Sequence, residues 1–152
     1  MLVGRLASGI VDHFPVRVSE WITTAAILGL ASVFWSQPRT FSSSPSFTIM
    51  AQWDERTWAA ICFAIALIRF AALVVNGTFR DVFAYSPHLR ALASVAACVF
   101  WGKLIEGFAL SALAAGGSWT GVIMYGMAMA LDCWNLVRAW ADVGSQHRRG
   151  NG

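Results

Sequence analysis

Four ionisable residues lie inside apolar stretches of the 152-residue sequence, and chemistry would be expected from these residues first. They are Arg69, Lys103, Glu106 and Asp132. A charged side chain near the centre of a bilayer costs roughly 3 kcal/mol. We therefore expect all four to face the interior of a helix bundle, a water-filled cavity or a partner.

Arg69 and Asp132 are predicted to form an ion pair between the second and fourth apolar helices. Arg69 precedes Asn76 by seven residues, and Asp132 precedes Trp140 by eight. The helical rise places both about 10–12 Å from the same side of the membrane. The alternative is that Arg69 extends to the lipid headgroups. It is disfavoured because helical side chains lean toward the helix N-terminus, here away from that surface.

Lys103 and Glu106 are three residues apart on one predicted helix, so they share a face and can pair directly. We expect this pair near the middle of the membrane. Together with Arg69 and Asp132 it would form an intramembrane polar seam. Three interpretations of that seam stay open: a structural fastening between helices, a proton or ion path, or the wet lumen of an oligomer.

No other group of residues predicts a reaction centre. Asp54 and Glu55 are adjacent carboxylates, but acidic residues are favoured at helix N-termini in any case. Cys62, Cys98 and Cys133 lie in separate apolar stretches without metal-binding spacing. The sequence has no glycine-rich phosphate loop, HExxH or GxSxG motif. We therefore predict no enzymatic activity, no metal site and no cofactor.

The composition indicates a membrane protein. Hydrophobic residues make up 57% of the chain and charged residues only 12%, about half the charged share of a soluble domain. The net charge is +3, and the basic residues occur one or two at a time between apolar stretches. Binding of nucleic acid would require a basic cluster on a hydrated face, so it is not expected.

The apolar stretches predict an all-α membrane four-helix bundle. Residues 1–17 have apolar residues at helical spacing and predict a short amphipathic helix at the membrane surface, although a frayed terminus is equally compatible. A proline- and serine-containing loop, 37–56, is unusually apolar and should fold onto the rim of the bundle or enter the interface. The predicted transmembrane domain is 18–142, with spans 18–36, 57–76, 89–115 and 119–140, and 143–152 is a polar tail expected to be disordered.

Arginine distribution predicts the orientation of these spans. Seven arginines fall on one side and two on the other: Arg5, Arg17, Arg80, Arg90, Arg138, Arg148 and Arg149 against Arg39 and Arg56. The expected location is the inner membrane of a bacterium, with both termini in the cytoplasm.

Small residues four apart predict close helix contacts, within the chain or between copies of it. They are Ala25 and Gly29, Gly107 and Ser111, and Gly126 and Ala130.

The sequence also resembles a group of short, largely uncharacterised membrane proteins encoded by phages and prophages of Gram-negative bacteria. The resemblance covers about residues 18–142. It is carried by Thr40-Phe41, Phe47, Met50, Trp58, Arg69-Phe70-Ala71-Ala72-Leu73, Asn76-Gly77, Ser86-Pro87-His88-Leu89-Arg90, Trp101, Thr120-Gly121, Tyr125, Asp132 and Arg138-Ala139. It implies a phage-encoded protein of the host inner membrane.

Three functions follow from these features. The first is a holin-like protein that oligomerises in the lipid bilayer and permeabilises it; the basic tail with Arg148-Arg149 is typical of that class. The second is a structural or accessory membrane subunit of a virion or membrane complex, which docks a larger partner through loop 37–56. The third is a small proton or ion carrier that uses the polar seam.

Overall fold

The fold is known from a computed structural model that describes residues 14–78 and 85–150, with side chains except at 76–78, 115 and 145–150. Within these ranges the chain is all-α. Its helices are α1 (Val18–Ser36), α2 (Thr40–Ser43), α3 (Glu55–Thr78), α4 (Ser86–Ala115) and α5 (Thr120–Gly150). Short 3-10 turns, Pro45–Phe47 and Met50–Gln52, lie between α2 and α3. The predicted interfacial helix falls largely outside the described residues.

Helices α1, α3, α4 and α5 are each long and apolar enough to cross a membrane. The predicted four-helix architecture is therefore confirmed, and α1 covers the residues of the first predicted span. The largest difference is at the end of α5. This helix continues to Gly150 through most of the segment for which we expect disorder from the sequence. No proline interrupts this segment, and ion pairs hold Asp142 in the last third of the helix.

Local signals explain where the helices begin and end. The Asp54 carboxylate accepts the backbone N–H of Thr57 at 2.6 Å, which caps the start of α3 and lowers the pKa of Asp54. Pro87 lies in the first turn of α4, where a backbone N–H would have no partner within the helix. Gly116 follows α4 at a φ of 64°, a left-handed conformation that glycine adopts without strain.

The four long helices pack in the order α1, α3, α4, α5, and a smaller contact between α1 and α5 closes the ring. One end of the bundle carries Arg17, Arg90 and Arg138, and we call it the arginine end. The opposite end, which we call the loop end, carries residues 37–54. Helix α5 is the least buried of the four.

The loop between α1 and α3 folds back onto the bundle, the first of the two expected arrangements. Phe41 and Met50 are buried, and the rings of Phe34, Phe41 and Phe47 pack against one another. The indole N–H of Trp58 donates to the carbonyl of Met50 at 2.8 Å. These contacts bury Phe41 and Met50 and leave Phe47 half-buried.

The loop also lies directly against α4. A Cβ at Gly107 would fall onto the carbonyl oxygen of Ser46, so only glycine allows this approach. The Phe47 ring meets Phe108 edge-on at 5.6 Å, one residue further along α4. The loop end is thus closed by a packed cap.

Candidate functional site

The Arg69–Asp132 ion pair is present in the structure. Arg69 Nη1 lies 2.7 Å from Asp132 Oδ1, and both side chains are fully buried between α3 and α5. Arg69 Nη2 also donates to the carbonyl of Ala93 and the hydroxyl of Ser94, at 3.2 and 3.3 Å. The structure therefore brings together the second and fourth spans at these two residues, and the contact extends to α4.

Neutral polar side chains surround Asp132. The Thr23 hydroxyl and the Asn135 amide donate to Oδ1 at 2.9 and 3.1 Å, and the Trp101 indole donates to Oδ2 at 2.8 Å. We call Arg69, Asp132, Thr23, Trp101 and Asn135 the central cluster. It joins all four long helices, because Thr23 belongs to α1 and Trp101 to α4.

A second cluster lies at the arginine end, buried at Glu20 and Arg90 and 40% exposed at Asp142. Arg90 donates to both oxygens of Glu20, with Nε–Oε2 and Nη2–Oε1 distances of 2.8 and 2.5 Å. Arg90 Nη1 and Arg17 Nη2 both contact Asp142 Oδ2, at 2.8 and 2.9 Å. We call Arg17, Glu20, Arg90 and Asp142 the end cluster. Two cations and two carboxylates balance its charge and connect α1, α4 and α5.

The end cluster is a site that the sequence alone does not predict. The arginine distribution indicates Arg17 and Arg90 only as orientation signals at the membrane surface, yet Arg90 is fully buried. Glu20 lies inside the first predicted span and is also buried. The sequence signal for this pairing was a carboxylate near the start of one predicted span and an arginine near the start of another, both on the same predicted side of the membrane.

Lys103 and Glu106 pair with each other at 3.0 Å, as expected from their spacing. However, the structure does not bring them to Arg69 and Asp132. Their side chains are 39% and 51% exposed on the outer surface of α4. The Phe100 ring packs against Trp58 in the first turn of α3, so Lys103 lies about level with the start of α3. The predicted polar seam is therefore two separate features: a buried network around Arg69 and Asp132, and a surface ion pair of Lys103 and Glu106.

The small residues with predicted helix contacts divide in a similar way. Gly107 packs against the loop. A Cβ added at Gly29 or Gly126 would meet no atom within 4 Å, so both glycines face open surface. The remaining three residues are not tightly packed. Ser111 is half-buried, and Ala25 and Ala130 are exposed.

Gly121 on α5 has a tight helix contact that its spacing in the sequence does not indicate. A Cβ at this position would overlap the ring of Phe108 on α4. The close approach of α4 and α5 near the loop end therefore depends on glycine at this position.

The contacts of the two clusters hold helices together.

Other chemical features are few in the described ranges, where no three His, Cys, Asp or Glu side chains are grouped to hold a metal ion. Cys98 and Cys133 are free thiols with sulfurs 3.7 Å apart between α4 and α5. One surface groove is lined by 37–40 with Ser43, and another by Thr24 and apolar side chains of α1 and α3; neither lining includes a residue of the two clusters.

Comparison with protein-family models, curated proteins and solved structures finds no match to this chain. The interpretation of the site consequently depends on the contacts of its own residues.

Proposed function

We propose that the protein is a non-catalytic, phage-type protein of the bacterial inner membrane that self-associates and permeabilises the membrane in the manner of a holin. Both termini are proposed to lie in the cytoplasm, in accordance with the arginine distribution. The permeable path lies between copies of the chain rather than through one copy.

The observation that carries the proposal is the exposed Lys103–Glu106 ion pair on the outer surface of α4. Charged side chains in spanning helices seldom face lipid, because the desolvation cost is large. An outward-facing pair therefore favours contact with another protein surface or with water in a lumen. A second copy of the chain supplies both in a holin-like assembly.

The interior of one copy offers little to conduct ions. Arg69, Asp132, Glu20 and Arg90 are all fully or almost fully buried, and each contacts an opposite charge. A path through them would require these pairs to open in a low-dielectric interior, where leaving one charge unpaired is costly. This argues against the carrier hypothesis and in favour of a lumen outside the protomer.

The accessory-subunit hypothesis is less well supported, because it assigns partner docking to the apolar loop 37–56. Phe41 and Met50 of this loop are already buried against the bundle. Trp53 is half exposed and is a small surface for a large partner.

Inducible expression in a bacterial host tests the proposal. We expect the wild-type protein to collapse the membrane potential, measured with a potential-sensitive dye. The double variant Lys103→Gln/Glu106→Gln should delay depolarisation several-fold at equal membrane abundance, because the outward-facing charges are removed.

Arg56→Gln is the matched control. Arg56, in the first turn of α3, is about level with Lys103, but its guanidinium lies over the Trp35 ring instead of on the α4 surface. This variant should depolarise cells as the wild type does. Unchanged potential and growth with abundant wild-type protein would refute the permeabilising role.

A further inference from the structure

One face of α4 is left uncovered by the rest of the described chain. Its exposed residues recur every three or four positions, the spacing of one side of a helix: Leu92, Val95, Val99, Lys103, Glu106, Leu110 and Leu113. We call this set the α4 stripe. Gly102 lies beside it, and a Cβ added there would meet no atom within 4 Å, so another backbone can approach closely.

The Lys103–Glu106 ion pair lies in the middle of the stripe, between apolar residues on both sides. Exposed Val95 and Val99 precede it, and exposed Leu110 and Leu113 follow it. The charges therefore do not mark the boundary of the apolar surface, as headgroup-contacting residues would. Lipid chains can cover the valines and leucines, but they cannot solvate an ammonium and a carboxylate.

Lys103 and Glu106 are displaced by about 60° around the helix and one turn along it. A two-fold axis along the membrane normal, beside α4, places the lysine side of one copy against the glutamate side of the other. Both ions then have a partner in the second copy, and the contact is self-complementary, as a two-fold interface requires.

We propose that the α4 stripe is the contact between two copies of this chain, related by such a two-fold axis, with Lys103 of each copy paired to Glu106 of the other. This proposal rests on the self-association proposed above and identifies the surface that makes it.

Charge reversal in two differently tagged, co-expressed chains tests the contact. A chain with Lys103→Glu carries two acidic groups in the stripe, and a chain with Glu106→Lys carries two basic groups. Two copies of either variant repel each other, whereas one copy of each attracts through two ion pairs. Affinity capture of one tag should recover at least about ten-fold more of the other tag from the mixed pair than from two tagged copies of the same variant, since each 1.4 kcal/mol of interaction free energy is a factor of ten.

This design separates contact between chains from pairing within one chain, because each variant has lost its internal pair. Arg56→Glu, off the stripe, should leave recovery at the wild-type level. A crosslinking measurement does not depend on the charges: in a Cys62→Ala/Cys98→Ala/Cys133→Ala background, Val99→Cys should form disulfide-linked dimers on oxidation, and Met127→Cys on the exposed face of α5 should not.

Equal recovery from mixed and like pairs, or crosslinking through Met127→Cys instead of Val99→Cys, would overturn the proposed interface. If membrane depolarisation persists in that case, the holin-like function stands with another contact surface. Selective recovery of the mixed pair from a protein that does not depolarise cells would establish the interface and remove the permeabilising role.

Discussion

At the scale of single residues, Asp132 organises the interior. Its carboxylate meets Arg69, Thr23, Asn135 and Trp101, so nearly all of its hydrogen-bonding capacity is used. The cost of transferring a carboxylate from water is offset only when such partners are complete. The cluster therefore both holds the helices and fixes their rotation.

The first prediction at this scale is that Asp132→Asn destabilises the protein by about 3 kcal/mol or more, because it leaves the buried Arg69 cation without a counter-charge. Glu106→Gln removes an exposed partner and should cost less than about 1 kcal/mol. Unfolding in mixed micelles by titration with dodecyl sulfate measures both.

The double variant Arg69→Met/Asp132→Asn should recover part of the stability lost in Asp132→Asn, because no unpaired charge remains. Equal losses in Asp132→Asn and Glu106→Gln would mean that the central cluster has no special energetic role.

The sequence was informative about the central cluster and much less so about the end cluster. The depth of Arg69 and Asp132 in their helices is enough to pair them, because depth follows from the helical rise alone. The end cluster depends on Asp142 meeting Arg17 and Arg90, and Asp142 lies at the last position of the predicted transmembrane domain. Asp142 reaches Arg17 and Arg90 only because α5 continues beyond the apolar stretch. Hydropathy does not show where that helix ends.

At the scale of elements, α5 is attached to α1 through polar contacts more than through burial. Ser19 donates to Asn135 at 2.6 Å, Arg17 pairs with Asp142, and Arg138 donates to the carbonyl of Val16, just before α1. The window of α5 that could span a membrane is the least buried of the four. We expect lipid to cover its outer side, which hydropathy alone could not distinguish from an inner side.

The loop cap gives a prediction at this scale. Gly107→Ala should separate the loop from α4, because the added methyl group would occupy the position of the Ser46 carbonyl oxygen. Limited trypsin digestion in micelles should then cut after Arg39 several-fold faster than in the wild type.

Gly126→Ala is the control for this substitution, since its Cβ would meet no atom within 4 Å. It adds the same methyl group to a spanning helix and should leave the rate of cleavage unchanged. Similar cleavage rates in wild type and Gly107→Ala would show that the loop does not depend on this contact.

At the scale of the whole molecule, charge is sorted between interior and surface. Among the described residues, the two clusters pair their charges between helices, and only the Asp142 end of one reaches the surface. Lys103 and Glu106 pair on the outer surface of α4 alone. The number of spans followed from apolar length and composition. The sequence could not show which charges face inward, because all four candidate residues lie in apolar stretches. Only the packing of the helices distinguishes buried charges from exposed ones.

One copy of the chain is proposed to be sealed, so that permeation requires the association of several copies. Dye release from phosphatidylethanolamine–phosphatidylglycerol vesicles, measured with purified protein over a range of protein-to-lipid ratios, tests this most directly. We expect no release when vesicles hold single copies, and a rate that rises more steeply than linearly with protein density. Release proportional to protein from the lowest density, or no release at any density, would contradict the proposed mechanism.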